Sequence, residues 1–224
     1  MIRTLLYIFA SLSISGVALA DTTTRPTTRP ASPITLQQLN DLQSVLKNVT
    51  TVESDFVEEK NLVMLNHTLT ISGHFALQKP GRLIWIVREP VEYAIRIEGD
   101  EVRQWDQDTN RVDVLHLGGD PTFKAISQQM QAWFLGDYQS LSKTYEVQVL
   151  SQHPLSLRFV PGADTVMAKV MSQVDIFFAT DERYIQKMIL NEAGGNVTDL
   201  EFIHTRVNEP IDDEVWRMPP NERH

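Results

Sequence analysis

The sequence predicts an α+β protein built on one strongly curved antiparallel sheet, an incomplete β-barrel, covered by a lid of short amphipathic α-helices. Three observations predict it. Apolar and polar residues alternate in run after run from Thr51 to Val207, and short polar turns rather than crossover helices join the runs, so neighbouring strands are antiparallel. Helical periodicity interrupts the alternation mainly at 35–49 and 120–135. A sheet of this many strands curls, and curling creates an interior that must be filled or covered.

The chain of 224 residues begins with Arg3, an apolar run from Leu5 to Val17, and Ala18-Leu19-Ala20 before Asp21. That is the pattern of a cleavable secretory signal peptide over residues 1–20. The run is too short for a comfortable membrane span. Residues 21–33, rich in Thr and Pro, read as a flexible leader, 34–220 as a single domain and 221–224 as a tail. Thr35 with Gln38 forms a capping box, and Leu36, Leu39, Leu42, Leu46 and Val49 follow at helical spacing. This helix face either closes one side of a sheet or caps a cavity.

From Thr51 the pattern turns to strands. Val52 and Phe56 share parity, 57–60 is charged, and Leu65, Leu69 and Ile71 run into a hairpin. Tyr93 to Ile97, Val102 to Trp105 and Val112 to Leu115 continue the meander, with turns at Glu98-Gly99-Asp100 and Asp106 to Asn110. Asp120-Pro121 opens the second helix as N-cap and first-turn proline. Phe123, Ile126, Met130 and Trp133 make its bulky stripe, with Phe134 and Leu135 beside them. Gly136-Asp137 stops it, and Tyr138 to Lys143 reads as one further helical turn. Strands resume at Tyr145 to Val149 and Leu155 to Phe159. Residues 163–171 read equally as helix or irregular loop. Val174 to Phe178 pairs with Ile185 to Leu190, Gly194-Gly195 turns the chain, and Val197 to Val207 is the last long strand. Val215 and Trp216 are candidates for a return to the sheet.

The stretch Gly73 to Pro90, GHFALQKPGRLIWIVREP, organises the rest. Ile71, Phe75 and Leu77 take one face of its first strand, His74 and Gln78 the other, and Lys79 falls on the apolar parity. Pro80-Gly81 turns the chain, because Pro donates no amide and Gly tolerates positive φ. Leu83, Trp85 and Val87 then share a face, with Arg82 and Ile84 opposite.

That hairpin resembles the LolA family of periplasmic lipoprotein carriers, at Gly73, Phe75, Leu77, Lys79, Pro80, Trp85 and Pro90. The resemblance continues through Ile97 to Val112, the Gly194-Gly195-Asn196-Val197-Thr198 turn, and Leu200 and Phe202. It implies a cavity rather than a filled core, lined here by Phe56, Leu69, Ile71, Phe75, Leu77, Leu83, Trp85, Met130 and Trp133. It also implies that the cation before the Pro latches the lid by hydrogen-bonding backbone in the lid helices. The family usually has Arg there; this chain has Lys79, whose compact ammonium lacks the guanidinium fork. Arg82, three residues on, has the opposite parity.

Composition supports a binding role over chemistry. The formal net charge is −9, which argues against nucleic acid and against docking on anionic lipid heads. The six histidines fall in no zinc-ligand spacing, so no metal is expected. No Cys nucleophile, G-x-S-x-G elbow or phosphate loop is present, so no catalytic residue, cofactor or enzymatic activity is expected. With no cysteine after the signal pattern, no lipid attachment is expected and the mature protein should be soluble. Met64, Met130, Met167, Met171 and Met188 are spread over elements that can face inward, as soft surface for acyl chains or as ordinary core.

The resemblance implies a monomeric periplasmic carrier of acylated lipoprotein or another lipid. It would load from an inner-membrane release complex of the ABC-transporter type and unload to an outer-membrane acceptor. The alternative is a periplasmic lipid- or lipoprotein-sensing or interaction module on the same half-barrel, and a hydrolase assembled from scattered residues is a third.

Overall fold

The period-two runs become twelve strands in the computed structural model, which describes residues 32–63, 66–116 and 132–219. They are β1 (Ser32–Pro33), β2 (Thr51–Leu62), β3 (His67–Gln78), β4 (Arg82–Glu89), β5 (Tyr93–Glu98), β6 (Glu101–Asp106), β7 (Arg111–His116), β8 (Tyr145–Gln152), β9 (Leu155–Pro161), β10 (Met171–Phe178), β11 (Ile185–Glu192) and β12 (Val197–Val207). One antiparallel sheet holds them all, in the order β1-β8-β9-β10-β11-β12-β2-β3-β4-β5-β6-β7. Its edges β1 and β7 do not pair with each other, so the barrel is open, as the strand pattern predicts.

Two meanders, β2 to β7 and β8 to β12, are stitched together where β12 lies beside β2. Phe202 registers with Phe56 and Leu200 with Glu58 there. The long central pair β2 and β3 runs in register from Thr51 opposite Gln78 to Leu62 opposite His67. Strict alternation puts Val52, Ser54, Phe56, Glu58 and Lys60 on one face, with Leu77, Phe75, Gly73, Ile71 and Leu69 beside them. The main core forms on that face, from Phe56, Phe75, Trp85, Ile95, Phe159, Ile176, Met188 and their neighbours.

Helix α1 (Leu36–Lys47) covers part of this face with Leu39, Leu42 and Leu46 buried. It starts where the capping box predicts: Gln38 N donates to Thr35 Oγ1 at 3.2 Å and Thr35 N to Gln38 Oε1 at 2.9 Å. Its exit is fixed by Asn208, whose side chain accepts from Thr50 N at 2.7 Å and donates to Asn48 O at 2.9 Å. Of the second predicted helix, residues 132–135 are described and helical; Phe123, Ile126 and Met130 lie outside the described residues. The helix ends at Gly136, whose φ of +84° suits glycine, and α2 (Tyr138–Leu141) follows. The ambiguous stretch 163–171 resolves into a 3₁₀ turn at Met167–Lys169.

Val215 and Trp216 do not return to the sheet. They sit in a 3₁₀ turn (Asp213–Trp216) laid on its outer face. There Trp216 and Met218 join Ala76, Ile84, Ala94 and Trp105 in a second apolar cluster. The Arg82 guanidinium lies 4.3 Å from the Trp216 ring centre, and Arg96 Nη1 donates to Trp216 O at 2.8 Å. The middle of the β3–β4 hairpin is therefore buried on both faces, which its alternation alone does not reveal.

Candidate functional site

The site is built from the inner face of the β3–β4 hairpin and the helices above it. Phe56 stacks on Trp85 with ring centres 4.1 Å apart, and Phe75 meets Trp85 edge-on at 5.7 Å. Phe202 joins from β12, 5.5 Å from Phe75 and 6.1 Å from Trp85. Phe134 then descends from the helical residues 132–135 onto Phe75 at 4.8 Å and Phe202 at 5.8 Å. A side chain of the covering helix thus lies against the aromatic floor of the sheet.

The sequence-derived residues divide as follows. Phe56, Phe75, Leu77, Leu83, Trp85 and Trp133 are all buried and share the inner core cluster. Ile71 is half-buried at its margin. Leu69 stands apart, half-buried opposite Lys60, outside that cluster. Met130 lies outside the described residues, as does Met64. Met167, Met171 and Met188 all face the core. Phe202 and Phe134 are central as well, although their sequence spacing marks them only as strand and helix residues. Phe202's even spacing with Leu200 on the last strand was the available signal, whereas its meeting with Phe56 needs the β12–β2 pairing.

Lys79 sits at the opening. Its Nζ donates to the carbonyl oxygen of Leu46 at 2.6 Å, in the last turn of α1, an oxygen that also accepts from Val49 N at 3.1 Å. Partial burial lowers the ammonium's pKa from its ordinary value. Arg82 instead points to the outer face and packs on Trp216. A further polar tie runs from Gln139 Nε2 to Asn40 Oδ1 at 3.0 Å, and Gly136 brings the loop after residue 135 against Leu46. Asn40, Gln43, Lys47, Lys79 and Asp137 line an open groove between α1 and that loop.

Beneath this cover the space is small. The apolar cavity between Leu46, Val49, Phe75, Leu77, Phe134 and Phe202 holds about 20 Å³, room for roughly one water. Among the described residues, side chains leave little free space between these groups. The titratable groups around it are few: burial pushes the Tyr138 hydroxyl far up, and Tyr138 Oη donates to Trp133 O at 2.8 Å, a structural bond. No group of metal-ligating side chains occurs among the described residues.

A family model described as outer membrane lipoprotein carrier protein LolA matches residues 47–219. An outer-membrane lipoprotein carrier protein of Hahella chejuensis is 24% identical over 181 residues, covering 79% of this chain and 81% of that protein. One of Methylobacillus flagellatus is 26% identical over 175 residues, covering 77% and 80%. Among solved structures, a LolA superfamily protein from Nitrosomonas europaea aligns over 79% of this chain and 97% of its own with a TM-score of 0.41 and 11% identity.

Proposed function

The chain belongs to the outer membrane lipoprotein carrier protein LolA family, and from that premise we propose that it carries acyl chains on the inner face of its sheet. The cargo is an acylated lipoprotein or a related lipid. It is taken up in the periplasm from an inner-membrane release complex of the ABC-transporter type and handed to an outer-membrane acceptor, by a monomer whose carrier domain spans 34–220 behind a signal peptide. No covalent step is needed.

The observation that carries this reading is the aromatic and aliphatic floor of Phe56, Phe75, Leu83, Trp85 and Phe202 on the inner face, with Lys79 tied to α1 above it. Magnitudes favour loading. Burial of an acyl chain yields about 0.8 kcal/mol per methylene. A hydrogen bond from a charged donor is worth about 1.5–3 kcal/mol, and less where water reaches it. A chain of ordinary length thus yields more free energy than the Lys79–Leu46 bond holds, and the remainder offsets the exposure of Leu39, Leu42 and Leu46 as α1 lifts. Lys79 is the latch in this scheme: it closes the empty protein and yields to cargo.

The direct test is mass spectrometry of protein purified from periplasm without detergent, native and after organic extraction; co-purified acylated peptide or lipid is the expected result. Lys79→Met tests the latch. It should leave the fold intact and raise uptake of a fluorescent fatty acid about fivefold, the effect of roughly 1 kcal/mol on the closed state. Equal uptake by variant and parent removes Lys79 from the mechanism. The small inner space among the described residues favours a second reading, a lipid- or lipoprotein-sensing module on the same sheet. A protein that purifies empty and takes up no probe would establish an interaction role instead.

A further inference from the structure

β2 runs on past Phe56 and brings charge into the interior. Glu58 registers with Ile71 on one side and Leu200 on the other, both on the core face. Glu58, Lys60 and Glu192 are only 4%, 2% and 7% exposed. Lys60 Nζ lies 2.6 Å from Glu192 Oε1, and Asn196 Nδ2 donates to Glu192 Oε2 at 2.9 Å. Lys60 and Glu192 therefore neutralise each other. Glu58 is the odd carboxylate: its Oε1 is buried and has no hydrogen-bond partner among the described residues. Burial pushes its carboxyl up to about 7, with the Lys60 charge opposing and the Glu192 charge adding. An unpaired buried carboxyl destabilises a fold, so its place on the inner face of a carrier calls for a partner that arrives from outside.

We propose that Glu58, beside the Lys60–Glu192 pair, receives the amine head of an acyl-chain amphiphile whose chain runs along the inner face toward Lys79. This rests on the carrier reading. A cation that donates hydrogen bonds fits because above about pH 7, with Glu58 ionised, the trio of two carboxylates and one ammonium has one uncompensated negative charge and a free acceptor oxygen. An anionic head meets like charge. The geometry suits an extended chain: Glu58 and Val52 are six residues apart on one strand, about 20 Å. The face between them is lined by Phe56, Ile71, Phe75 and Phe202.

The test compares dodecylamine, dodecanol and dodecanoate binding to the full mature chain at pH 8 by isothermal titration. The amine should bind about tenfold tighter than the alcohol, with the carboxylate weakest, as one added charge-assisted hydrogen bond gives. Glu58→Gln should reduce the amine to the alcohol's affinity and leave the alcohol unchanged. Equal binding of all three to the parent, or an amine preference that survives Glu58→Gln, overturns the proposal while the carrier reading stands. Failure of all three to bind overturns both. Should Glu58→Gln not fold, the ranking in the parent decides alone.

Discussion

Lys60→Met should lower the unfolding free energy by about 3–5 kcal/mol at pH 8, read from urea midpoints, because it strips the counter-charge from a buried ion pair. Lys60 and Glu192 meet at 2.6 Å with almost no access to water, and Glu58 lies in the same field. Without the ammonium, the two carboxylates face each other's charge in an apolar interior. The loss should shrink markedly at pH 5, where protonation relieves that repulsion. The sign follows from the carboxyl itself. Glu58 has a folded pKa raised above its unfolded value, so its ionisation costs stability that is fully present below about pH 4.5 and lost as pH rises through about 7. For the same reason Glu58→Gln should stabilise the ligand-free protein at pH 8, by up to ~3 kcal/mol for a shift of this size, and leave it unchanged at pH 4.5. An equal cost of Lys60→Met at both pH values would show that the trio is not electrostatically coupled. A protein that keeps such a residue against its own stability resembles the common trade between stability and function.

These charges mark where sequence reasoning stops. Alternation places Phe75, Leu77, Leu83 and Trp85 on one face, the capping box places the start of α1, and Val197–Val207 is recovered to the residue, because each depends on neighbours in sequence. The stretch 57–60 reads only as charged, yet Glu58 and Lys60 continue the parity of Phe56 into the interior. The partner that makes Lys60 tolerable there is Glu192, more than a hundred residues away and reachable only through the β12–β2 and β11–β12 pairings. The outer cluster was hidden similarly. Ile84 looks like the polar side of a two-faced strand until Trp216 and Met218 are laid over it by the C-terminal segment. Periodicity also does not say whether a concave face is filled or hollow. Here Phe134 packs onto it and the space among the described residues is small, so the proposed carrier needs a moving cover.

Gly73→Ala should cost about 3 kcal/mol, although it adds one methyl group, and the reason lies at the centre of the site. Gly73 registers with Phe56 on β2 and follows the irregularity where β3 meets β4. A Cβ there would stand 2.0 Å from the Ile86 carbonyl oxygen and 2.5 Å from Phe56 Cζ. The Phe56 ring occupies the space a side chain would take, as an aromatic covering a neighbouring strand's glycine does. It is held there by its stack on Trp85 at 4.1 Å, so moving it disturbs the floor on which Phe75 and Phe202 also pack. The Ile86 oxygen is backbone and yields only if the β3–β4 ladder shifts. Phe56→Leu in the Gly73→Ala background should therefore recover only part of the loss, because it relieves the ring contact and leaves the carbonyl contact in place. Urea midpoints of the two single variants and the double variant measure that coupling. Full additivity would show that Phe56 and Gly73 are independent, and that the glycine at the head of the hairpin serves its backbone rather than the ring above it.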